Sequence, residues 1–144
     1  MKEYFKCKVR YEKTQEDGSV KKVTEEYLVD AMSFTEVEER ITREMGLLTN
    51  GDFLVVDISR YNVQELIIDY PGNFFYRFKV DFITLDEKSG KEKKRPNYLL
   101  VQATDIDDAR DQVVKAMKES ISDYSISKIE ETKIIEVFTC NAKN

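Results

Sequence analysis

The chain has 144 residues, 28 of them acidic and 23 basic, for a net charge of −5, and it contains no histidine. That balance gives no global pull toward nucleic acid or anionic lipid. Without histidine the commonest general acid–base side chain is missing, and two cysteines are too few for zinc sites built on Cys and His.

A hydrophobic share of 41% suffices for a packed core, and the length suits one compact domain or two very small ones. The longest apolar runs, such as Leu54-Val55-Val56, fall far short of the roughly 20 residues a bilayer span needs. The start, Met1 to Lys8, is charged throughout and lacks the apolar stretch of a secretory signal, so a cytoplasmic location is expected.

Residues 4–12 alternate, with Phe5, Cys7, Val9 and Tyr11 on one face and Lys6, Lys8 and Arg10 on the other, which is a strand pattern. Cys7 and the more distant Cys140 read as reduced packing thiols. A turn around Asp17-Gly18 leads to a return strand over 21–31, with Val23, Tyr27, Val29 and Ala31 on one side. Ser33 followed by Glu36 forms a capping box, and Phe34, Val37, Ile41 and Met45 make the apolar stripe of a helix that ends near Asn50-Gly51. Residues 53–58 and 63–68 read as strands, with a bend or bulge near Arg60-Tyr61-Asn62.

After the tight join Asp69 to Asn73 the order starts again. Strands are expected over 75–85 and 97–103, with Asp86 to Lys91 as the turn between them. Asp105 takes the capping place of Ser33, and Asp108 that of Glu36. The helix over 105–119 is expected to bury Ile106, Ala109, Val113, Ala116 and Met117, and strands follow near 124–130 and 133–139.

The two halves match in detail. Residues 5–11 resemble 76–82 at an offset of 71, Lys21-Lys22 matches Lys93-Lys94 at 72, and Val63 to Leu66 matches Ile134 to Val137 at 71 again. The fold class expected is therefore α+β: two tandem hairpin–helix–strand repeats, ββαββ-like, over 1–70 and 71–144, packed with pseudo-twofold symmetry as one compact domain.

The cationic strand faces carry the chemistry. On the first, Lys6, Lys8 and Arg10 face Glu26 and Asp30 of the return strand, and cross-strand ion pairs explain them. On the second, Arg77 and Lys79 face Tyr98, Leu100 and Gln102, where no acid neutralises them. Lys91, Lys93, Lys94 and Arg95 lie just before. Arg77, Lys79, Lys91, Lys93, Lys94, Arg95 and Tyr98 thus form a candidate nucleic-acid strip, in which cations follow phosphates and a ring stacks on a base. A solvated hairpin tip is the plainer reading of the same cluster.

Asp105, Asp107 and Asp108 fall on the first turn of a helix and read as caps rather than as metal ligands. Phe5, Tyr11, Tyr76, Phe78 and Phe82 face inward, and Tyr4, Tyr61, Phe75 and Tyr98 are the rings to consider for stacking. No Gly-rich phosphate loop, nucleophile elbow or His-containing triad occurs. No catalytic residue, metal or cofactor is therefore expected.

The stretch from Phe5 to Lys13, with Glu16-Asp17-Gly18 and Lys21 to Glu36, resembles an uncharacterised family, a domain of unknown function from gut bacteria and their phages. The resemblance implies no activity, substrate or site residue, and it points toward a phage or mobile-element setting. Two functions are expected from different classes. One is a non-enzymatic protein that binds single-stranded nucleic acid through the second hairpin. The other is a protein-interaction or self-assembling module that uses open strand edges to contact a partner or a second copy.

Overall fold

The computed structural model describes residues 2–49 and 51–139, which places Cys140 outside the described residues. It is a mixed α+β protein, with eight strands in two four-stranded sheets and two helices. The chain runs β1 (Glu3–Thr14), β2 (Val20–Ala31), α1 (Phe34–Leu48), β3 (Phe53–Tyr61), β4 (Glu65–Ile67), β5 (Phe74–Leu85), β6 (Glu92–Ala103), α2 (Ile106–Met117), β7 (Asp123–Glu131) and β8 (Ile134–Phe138).

Two compact units arise, and their composition departs from the division at residue 70. The first takes β1, β2, α1 and β3 together with β8; the second is the continuous stretch from Asn62 to Lys133. The first sheet has the order β3-β1-β2-β8, with β8 parallel to β2; the second has the order β4-β6-β5-β7, with β4 parallel to β6. The last strand of each half of the sequence therefore adds to the sheet of the other half.

In the first unit the alternation of β1 buries Phe5, Cys7 and Val9, and β2 supplies Tyr27, Val29 and Ala31 to the same side. The α1 stripe of Val37, Ile41 and Met45 covers them. Fully burying such a side chain is worth about 1.5–3 kcal/mol, so this cluster dominates the stability of the unit. Ser33 Oγ accepts from the Glu36 amide at 3.2 Å while Glu36 Oε1 accepts from the Met32 amide at 3.1 Å, the expected box. Arg40 clamps the helix down: its guanidinium donates to the Asp30 carbonyl, to Asp30 Oδ1 at 2.7 Å and to the Phe138 carbonyl of β8 at 3.4 Å.

The second unit packs Tyr76, Phe78 and Val80 of β5 with Leu99, Val101 and Ala103 of β6 under Ala109, Val113 and Met117 of α2. Asp105 accepts from the Asp108 amide at 2.7 Å, and Asp108 accepts from the Thr104 amide at 2.9 Å. Gln112 stands where α1 has Arg40, and its amide donates to the Gln102 carbonyl at 3.0 Å. Ile106 is 45% exposed, and Ala116 is exposed too, because the helix turns only the Ala109-Val113-Met117 line onto the sheet.

The edge strands β3 and β7 each carry a bulge one residue long. Lys8 faces Asp57 and Val9 faces Val55, which leaves Val56 over; Lys79 faces Lys128 and Val80 faces Ile126, which leaves Ser127 over. The bulge of β3 thus sits at Val56, and the strand also breaks after Tyr61, where the bend near Arg60-Tyr61-Asn62 was expected. Strand β6 starts at Glu92, five residues before the expected strand at 97, so Lys93, Lys94 and Arg95 belong to a strand and not to a turn. Pro96 is tolerated within the strand because β4 pairs with β6 only at Leu99–Val101, leaving one side of Pro96 open.

Candidate nucleic-acid interface

Strand register decides which of the expected residues share a surface. Directly opposed residues of an antiparallel pair lie on the same face. Arg77 opposes Leu100, Lys79 opposes Tyr98 and Ile83 opposes Lys94, so Arg77, Lys79, Lys94 and Tyr98 lie on the face away from the α2 core. Phe82 opposes Arg95 and Thr84 opposes Lys93, which puts those two cations on the core side of the sheet, beyond the helix. Lys91 stays in the turn before β6. The seven expected residues therefore divide between two faces rather than forming one strip. The division follows from Lys93, Lys94 and Arg95 being consecutive in an extended strand.

On the outer face Arg77 is well held. Its guanidinium lies 4.1 Å from the centre of the Tyr98 ring, Nη1 donates to Glu130 Oε1 at 3.1 Å, and Nε and Nη2 donate to the Asn62 carbonyl at 3.1 and 2.9 Å. The absence of a neutralising acid inferred from the hairpin alone is corrected by Glu130, which comes from β7 on the other side of β5.

Lys79 has a different setting. It stands between Tyr98 on β6 and Lys128 on β7, and like charges directly opposed across strands repel. Lys128 finds Glu130 Oε2 at 3.7 Å, whereas Lys79 and Lys94 make no ion pair among the described residues. The first unit resolves the same place differently. There Lys8 stands between Glu26 and Asp57, and the neighbouring Lys6 reaches Glu26 at 3.7 Å. Alternation states which residues share a face of the hairpin and not which strand flanks β5, so the sequence carries no signal for Lys128 at this place.

The cations on the other face are engaged locally. Lys93 lies 3.7 Å from Asp86, and the Arg95 guanidinium lies 5.6 Å from the Phe82 ring. Among the other rings, Phe75 is buried and Tyr61 sits under Lys6 at 5.7 Å, so Tyr98 is the ring placed with several cations.

A polar network in the first unit had no signal beyond three separated residues. Tyr11 and Tyr27 both donate to Glu25 Oε1, at 2.5 and 3.0 Å, and Lys13 lies 3.6 Å from the same carboxylate. Burial first, then the bond to Glu25, pushes the Tyr11 hydroxyl up to about 12, and burial pushes Tyr27 up as well. Tyr11 also lines a cleft of about 830 Å³, whose walls include Val20, Leu48 and Leu54. Burial likewise raises the Cys7 thiol to about 12, which keeps it protonated and unreactive at neutral pH.

Comparison with known families gives one match: the model for a domain of unknown function (DUF4494) matches residues 3–140. No curated protein matches, and no solved structure matches.

Proposed function

We propose that this chain, which belongs to the DUF4494 family of domains of unknown function, is a non-enzymatic protein that binds single-stranded nucleic acid on the outer face of β5, β6 and β7. The observation that carries the reading is the opposed pair Lys79 and Lys128 beside the stacked Arg77 and Tyr98. A phosphate between two like charges relieves their repulsion, and a ring backed by a guanidinium offers a stacking platform that is indifferent to sequence. The corresponding place in the first unit has Glu26 and Asp57 opposite Lys8, which favours the second unit for the binding role. Lys94 extends the face, while Lys93 and Arg95 lie on the other side of the sheet.

The same reading takes the chain as a tandem duplication of one ββαββ-like unit with pseudo-twofold symmetry. Support comes from the equal strand orders, caps and bulges of the two units. It places the protein in the cytoplasm, in a phage or mobile-element setting. No helix among the described residues is long and apolar enough to cross a membrane.

The test is fluorescence anisotropy with labelled single-stranded DNA and RNA over a salt series. Three cations meeting phosphates give a logarithmic salt slope of about −2 on a single strand. Lys79→Glu/Lys128→Glu is expected to abolish binding, and Lys93→Glu/Arg95→Glu, on the opposite face, to leave most of it. Absence of binding at low salt, or equal loss in both variants, would sink the proposal.

A further inference from the structure

One edge of each sheet, β3 in the first and β7 in the second, carries a groove at the same place in the fold. In the first unit, Phe34 and Glu38 of α1 and residues Val55 to Ile58 of β3 line a groove of about 470 Å³. In the second, Ile106 and Arg110 of α2 and residues Ile126 to Ile129 of β7 line one of about 380 Å³. Each groove spans the bulge of an edge strand, Val56 in one and Ser127 in the other. Each has an exposed apolar residue at the helix start, Phe34 at 43% and Ile106 at 45%. Both edges pair on one side only, so their outer N–H and C=O groups are available to another chain.

The charges of the two grooves are opposite at every charged lining position. The first holds Glu38 and Asp57; the second, at the matching helix and strand positions, holds Arg110 and Lys128. One groove is therefore acidic and apolar, the other basic and apolar. A groove would repel its own kind and attract the other, which favours one pairing among those that strand edges permit.

We infer that the β3 edge of one molecule docks on the β7 edge of a second copy of this chain, with Glu38 and Asp57 set against Arg110 and Lys128. The contact is heterologous: each copy uses one surface to give and another to receive. It therefore closes into a ring if the rotation allows and otherwise grows as a filament. The self-association does not depend on nucleic acid, and Glu38 and Arg110 lie outside the nucleic-acid face proposed above.

Sedimentation velocity on the full chain without nucleic acid tests it over a concentration series at low and high salt. Wild type is expected to associate at low salt and to dissociate as salt screens the facing charges. Glu38→Arg cancels the net charge of the first groove, where Asp57 remains, and Arg110→Glu cancels that of the second, where Lys128 remains; each sets like charges against each other at the helix positions, so each variant alone is expected to associate at least about tenfold more weakly. An equal mixture of the two variants restores complementary edges and is expected to recover the association. Both positions are exposed on helices, and circular dichroism checks the fold. Glu38→Gln and Arg110→Gln, which only remove charge, give the same direction if a reversal disturbs a helix. A wild type that sediments as a monomer throughout overturns the inference. So does association that is unchanged in both variants, or lost in both and not recovered on mixing.

Discussion

Gly72 is the position where one added carbon would do the most harm. Its φ of 134° is closed to side chains, and a Cβ there would lie 2.2 Å from the backbone carbon and oxygen of Ala103. Gly72→Ala is expected to cost at least about 1–3 kcal/mol from backbone strain alone, read as a lower urea midpoint. Glu25 controls a different property. Tyr11 is shifted from 10.0 to about 12, so the folded state favours the neutral hydroxyl. That contribution is whole below pH 10 and is lost as pH rises through 12. Tyr11→Phe is therefore expected to flatten the alkaline fall in melting temperature, and an unchanged slope would remove Tyr11 as its cause. The residues of this network are fourteen and two positions apart in sequence, and nothing in their spacing announces that one carboxylate collects both hydroxyls.

At the scale of elements, what was readable was local. The hairpin turns, the two caps and the lines Val37-Ile41-Met45 and Ala109-Val113-Met117 follow from nearest-neighbour chemistry and appear where expected, while Phe34, Ile106 and Ala116 stay exposed. Ser33→Ala is expected to cost about 1 kcal/mol in chemical denaturation, because the Glu36 amide loses its acceptor. The placement of β4 and β8 was not readable, because periodicity states which face of a strand is apolar and not which strand it joins. The split of the basic residues follows from the strand boundary: with β6 beginning at Glu92 and not at 97, Lys93, Lys94 and Arg95 alternate between the two faces. Phe138 of β8 stacks on Tyr27 of β2 at 5.5 Å and 14°. Phe138→Ala should loosen that join by about 0.5–1.5 kcal/mol beyond lost area, seen as faster amide exchange in β2 and β8.

For the whole molecule, the strand exchange ties the two halves of the sequence into one folding problem. Residues 1–70 alone would leave β2 without β8 and β4 without β6. Fragments 1–70 and 71–144, prepared separately, are expected to show weak dichroism and low melting temperatures, and to regain cooperative unfolding when mixed. Two fragments that melt independently at the temperature of the intact chain would mean that the exchanged strands add little.

The exchange also has a consequence for synthesis on the ribosome. The second unit is continuous and is complete once residue 133 has emerged, but the first waits for β8, which follows it. At about 5–20 residues per second, β2 stands for roughly 4–15 s with an unsatisfied edge after β3 has been made. A nascent chain stalled before Ile134 would carry that edge exposed, and the first sheet can close only after β8 has emerged.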